Sequence, residues 1–102
     1  MLERTISTEV AKRYKTAAMA NMSAFAALIQ AQLPELSSEG ATYFAAGTIV
    51  STTGIWPLAQ PSEAMLCVYD DPEMALLRLD FGTGLREMLT TLLTGCLVRW
   101  PA

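Results

Sequence analysis

The chain has 102 residues, 52% of them hydrophobic and only 17% charged, with a net charge of −3. That length holds one domain and leaves no room for a second; the apolar content excludes disorder, and the acidic balance offers no electrostatic footprint for nucleic acid. Histidine is absent, which removes the commonest general base, the usual imidazole metal ligand and every Ser–His or Cys–His nucleophile system.

The first helical block is expected from about Ser7 to Leu33. Ser7 suits an N-cap, and Glu9 sits in the first turn, where a carboxylate suits the helix dipole. Val10, Tyr14, Ala18, Met22, Phe25, Ile29 and Leu33 recur at steps of three and four, which is one face of a helix. The cations Lys12, Arg13 and Lys15 stop within the first third. Beyond them the helix is apolar on nearly every side, so its second half is expected to be buried all round. Pro34 ends it.

Ser37 or Ser38 caps a second block reaching about Trp56. Its small-residue run Ala45-Ala46-Gly47-Thr48 lets another helix come close, at a propensity cost of about 1 kcal/mol for each of Gly47 and Gly54. Pro57 and Pro61 bracket a turn. Ser62 caps a short third helix. Asp70-Asp71-Pro72-Glu73 breaks the chain again, with Pro72 placed as a first helical residue of a further short turn. The last block runs from about Leu79 to Leu97, with a wide apolar stripe of Leu85, Met88, Leu89, Leu92, Leu93 and Cys96. The expected product is an all-α helical bundle, one domain over residues 1–102, with three substantial helices and one or two short ones.

A domain this small needs much polar cover for its volume. The apolar surplus therefore points to a partner surface, an internal ligand cavity, or both. Cys67 and Cys96 are far apart and suit free thiols in a reducing cytosol. Met1-Leu2-Glu3-Arg4 leads into no signal-peptide core. The stretch Ala17–Ile29 is interrupted by Asn21 and Ser23 and falls short of the roughly 20 residues of a membrane span. A cytoplasmic protein without membrane contact is the expectation.

The chemistry-bearing residues are few. Asp70, Asp71 and Glu73 read as a solvated loop and a helix N-terminus rather than a metal site or acid/base pair. Lys12-Arg13-Tyr14-Lys15 reads as a solvated first turn. No Gly-rich phosphate loop, zinc spacing or nucleophile motif is present, so no enzyme, metal or cofactor is expected. Met19, Met22 and Phe25 suit either an adaptable apolar pocket or an ordinary core. Asn21 within the apolar run, and the polar handles of Tyr43 and Trp56, raise the same two possibilities.

Arg13-Tyr14-Lys15 in an early helix, followed by Leu33-Pro34-Glu35-Leu36-Ser37, resembles the C-terminal regulatory domain of TetR-family transcriptional repressors. The run Gly54-Ile55-Trp56-Pro57-Leu58-Ala59-Gln60-Pro61 resembles the Gly-x-Trp-Pro-x-Ala-x-Pro string of one branch of that family, and Leu79-Asp80-Phe81 before an apolar last helix fits it too. The resemblance spans about Thr5 to Leu97, and its motifs are structural rather than catalytic.

It implies an all-α homodimer in which two helices of each protomer build a four-helix bundle, with a small, mostly apolar effector in a cavity between the other helices. The bundle helices would be Ser38–Trp56 and Leu79–Leu97, with interface candidates Ala45, Thr48, Thr52, Leu85, Met88, Leu89 and Leu92. The ligand candidates would be Met19, Asn21, Met22, Phe25, Tyr43 and Trp56. Nothing in the chain resembles the family's helix-turn-helix, so DNA is expected to be reached only through an N-terminal domain outside it. A different reading is a stand-alone interaction module that associates through Leu85, Met88, Leu89 and Leu92 and binds no ligand.

Overall fold

The computed structural model describes residues 7–102. Five helices follow one another: α1 Thr8–Gln32, α2 Ser38–Leu58, α3 Glu63–Tyr69, α4 Pro72–Ala75 and α5 Phe81–Arg99. Each starts on a side-chain cap. The Ser7, Ser37 and Ser62 hydroxyls accept the Val10, Gly40 and Met65 N–H groups, and the Asp71 and Asp80 carboxylates accept those of Glu73 and Thr83. These bonds satisfy donors that a helix N-terminus leaves without a partner. The last helix therefore begins at Phe81 rather than Leu79, because Asp80 is its cap. At the other end of α2, Pro57 lies in the last turn, and the helix runs two residues beyond the expected Trp56 before Ala59 N–H closes on the Ile55 carbonyl at 2.9 Å.

α1 and α2 form a helical hairpin across the short connection 33–37. α5 packs antiparallel to α2: Gly40 lies beside Trp100, Gly47 beside Leu92, and Gly84 beside Ile55. α2 is the middle element, packed by α1 and by α5, while α3 and α4 pack on each other. The core gathers at the end where the α1–α2 connection meets the end of α5. Leu36, Ala41, Ala45 and Cys96 are essentially without exposure, Ala26 and Ile29 join them, and Met22, Phe25, Phe44, Leu93, Leu97 and Trp100 pack around them. Backbone bonds seal this end: Ser37 N–H to the Trp100 carbonyl at 3.0 Å, and Ala102 N–H to the Glu35 carbonyl at 2.8 Å.

The second half of α1 is not buried all round. Only Ala26 and Ile29 are buried there, and Leu28 is 67% exposed. The apolar composition of that stretch does not reveal that α2 covers one side alone.

The molecule is a slab of 45 × 40 × 18 Å with a radius of gyration of 17.5 Å, against about 13 Å for a compact domain of this length. Its accessible surface is 7774 Å², roughly 2,100 Å² above the figure for a compact monomer of its mass. Among the described residues, no helix is long and apolar enough to cross a membrane.

Candidate functional site

An apolar concavity lies where the surfaces of α2 and α5 meet. On α2, Tyr43, Ala46, Gly47 and Val50 recur at helical spacing. On α5, Met88 and Leu92 face them. With Ser51 they line an open groove of about 340 Å³. Gly47 makes the close approach possible, since a Cβ there would run into the Leu92 side chain. The groove continues past Tyr43 and Leu92 into a further 250 Å³ bounded by Gly95, Cys96, Arg99 and Trp100. At that end the Tyr43 and Trp100 rings stack with centroids 4.8 Å apart, and the Arg99 guanidinium lies 4.5 Å over the Trp100 ring. Such stacks anchor a surface without closing it.

Polar groups that would spoil an apolar contact are satisfied internally. The Thr48 and Thr52 hydroxyls donate to the Phe44 and Thr48 carbonyls, each at 2.8 Å, and Thr90 and Thr94 do the same in α5. This back-bonding takes up the hydroxyl within its own helix. Burial pushes the Cys96 thiol up from its ordinary pKa, with Arg99 opposing weakly.

A second, polar crevice of about 490 Å³ lies at the opposite end of α2, between Ala59, Gln60, Arg78, Leu79, Asp80 and Phe81. Trp56 and Phe81 meet edge to face nearby, 5.0 Å between centroids. The Thr83 backbone N–H, helped by the Thr83 side chain, holds the Asp80 carboxyl below its usual range. In the nearby acidic run, Asp71 caps α4. Among the described residues, no group of three or more His, Cys, Asp or Glu side chains is placed to hold a metal ion.

The six ligand candidates do not share one site. Met19 is 65% exposed and Asn21 is also on the surface, whereas Met22 and Phe25 pack onto the core. Tyr43 and Trp56 stand 13 positions apart on α2, roughly 20 Å along the axis. Of the interface candidates, Met88 and Leu92 line the groove. Thr48, Thr52, Leu85 and Leu89 are half-buried and do not line it. Ala45 needs correction: it is fully enclosed in the protomer core and has no surface to offer a partner. The small-residue run marks a close helix approach, but for Ala45 the approaching groups belong to its own chain. Ala46 was named within the small-residue run, but Val50, Gly95 and Trp100 were not singled out from the sequence. Helical spacing from Tyr43 and Met88 would have found Val50 and Gly95.

A family model described as the tetracyclin repressor-like C-terminal domain matches residues 1–100. The chain belongs to that family. No curated protein and no solved structure matches it. The five-helix, all-α architecture agrees with a TetR-like C-terminal domain, and the family is one of regulators rather than enzymes.

Proposed function

We propose that this chain is the dimerising, effector-responsive domain of a TetR-like transcriptional repressor, working in the cytoplasm. The observation that carries this reading is the open α2–α5 face, an apolar groove with small residues at its floor on a protomer whose surface is roughly 2,100 Å² larger than compactness requires. A second copy applying the same face makes an isologous contact and completes a four-helix bundle from α2 and α5 of each protomer. A small, mostly apolar effector then biases the arrangement of the helices around the bundle, and so the spacing of the regulator's DNA-binding heads. It does so only to the extent that it binds one arrangement better than the other. Met22 and Phe25 on the inner side of α1 are the side chains of suitable chemistry.

Met88 is the clean probe of the interface, because it is 51% exposed in the protomer; Leu89 and Ala45 are compromised by their burial. The wild-type chain is expected to sediment as a dimer. Met88→Arg is expected to yield a folded monomer, since it would put a charge in an apolar seam. An unchanged dimer refutes the interface. Native mass spectrometry with apolar ligands tests the effector: Met22→Ala or Phe25→Ala should weaken any adduct, and an adduct indifferent to both refutes that placement. The alternative, an interaction module without ligand, gains from both grooves being open rather than enclosed. A clean dimer that takes up no small molecule supports it.

A further inference from the structure

The α2–α5 groove does not account for most of the unpartnered apolar surface. Three large exposed apolar side chains belong to it, Tyr43, Val50 and Met88, whereas the α3–α4 segment exposes six: Met65, Leu66, Val68, Met74, Leu76 and Leu77. We infer that the segment from Ser62 to Leu77 is a clasp that docks on the first half of α1 in a second copy of the chain, an inference that rests on the homodimer reading above.

Charge selects that occupant. The segment carries four acids, Glu63, Asp70, Asp71 and Glu73, and no cation. The first half of α1 carries Lys12, Arg13 and Lys15 against the single acid Glu9, and its Val10, Tyr14 and Met19 are exposed. Two clasps would repel each other, and so would two basic α1 ends. A clasp meeting an α1 pairs opposite charges around apolar side chains.

The area is sufficient. A standard-size complex takes about 800 Å² from each partner, well below the roughly 2,100 Å² by which this surface exceeds compactness. Within one chain, α1 is packed by α2, and α3 packs on α4. Two-fold symmetry makes the clasp contact twice per dimer.

Two exposed double variants test this. One carries Lys12→Glu and Arg13→Glu, the other Asp70→Lys and Glu73→Lys. Each alone sets like charges against each other at both clasp contacts, so each should form weaker homodimers than wild type. Mixed, they restore opposite charges at both contacts of a heterodimer. Native mass spectrometry of an equal mixture should show heterodimer at least about fivefold above the statistical share at low salt. The excess should disappear near 1 M salt, where the screening length is about 3 Å. A statistical mixture at low salt overturns the clasp. So does a defect that mixing leaves unrepaired but that is repaired in a single chain bearing all four changes, which would place the contact within one protomer. If wild type is monomeric, the homodimer reading falls and the clasp with it; if wild type is dimeric and mixing is statistical, the clasp alone falls.

Discussion

The two ends of the slab use similar side chains to different ends. At one, Leu36, Ala41 and Cys96 are enclosed, the Tyr43–Trp100–Arg99 stack covers them, and backbone bonds tie 35–37 to 100–102. At the other, α3 and α4 pack on each other and leave leucines and methionines in solvent. Stability is not uniform in such a molecule. The closed end carries the cooperative core. The open end carries exposed apolar surface, and it is also where the acidic run sits.

Truncating one leucine at each end gives the largest contrast. Leu36→Ala removes a side chain with 0% exposure and should cost about 2–5 kcal/mol, at about 4–8 °C of melting temperature per kcal/mol. Leu76→Ala, at 89% exposure, should stay within about 0.5 kcal/mol. Both belong in the Met88→Arg background, so that a dimer contact at the groove does not enter the comparison. Equal losses in thermal unfolding would break the distinction between the ends.

Two glycines sharpen it. A Cβ on Gly40 would stand 2.9 Å from the Trp100 Cβ and 3.0 Å from its carbonyl oxygen. Those are backbone-fixed atoms that cannot swing away, so Gly40→Ala should cost about 1–3 kcal/mol. A Cβ on Gly95 meets nothing within 4 Å. Gly95→Ala should therefore stabilise the monomer by up to about 1 kcal/mol through helix propensity, as read by denaturant titration. A dimer weakened by the same change would show that a second copy approaches closely along α5.

Much of the fold was legible because its punctuation is local. Ser7, Ser37, Ser62 and Asp71 mark helix starts through bonds that span two or three residues, and Pro34 marks an end because it has no N–H to donate. Asp80 was legible in the same way, yet the apolar stripe extended the expected helix past it. The cover of each helix was not legible. The run after Lys15 is apolar on all sides, and only tertiary packing decides that Leu28 faces solvent while Ile29 does not. The groove was half legible: Tyr43, Met88 and Leu92 belong to it, but the antiparallel register that brings residue 47 beside 92 is set by contacts distant in sequence. Ala45 was misplaced for the same reason.

The two thiols report on the ends without any mutation. Cys67 lies exposed on α3 and Cys96 is buried in the core, where desolvation raises its pKa and keeps it protonated. At a dilution that keeps the chain monomeric, iodoacetamide near neutral pH should label Cys67 in the folded protein and reach Cys96 only after denaturation, as followed by intact-mass measurement. Equal labelling would mean that the closed end opens as readily as the other.

Acid should loosen the open end through Asp80. Its carboxylate accepts the Thr83 N–H at 2.9 Å, with lesser help from the Thr83 side chain, Arg78 and Arg86, and its pKa lies below the ordinary 3.8. A depressed folded-state pKa means that the ionised group favours the folded state. The contribution is fully present above the unfolded value and is lost as pH falls through the folded one. Stability should therefore decline on acidification below about pH 4, with a small slope, because the group is exposed and screened. Asp80→Asn keeps a capping oxygen but cannot titrate, so it should flatten that part of the curve while leaving the neutral melting temperature nearly unchanged. An acid limb identical to wild type would move the loss to other carboxylates, and the start of α5 would then owe its pH resistance to packing against Leu79 and Ile55 rather than to its cap.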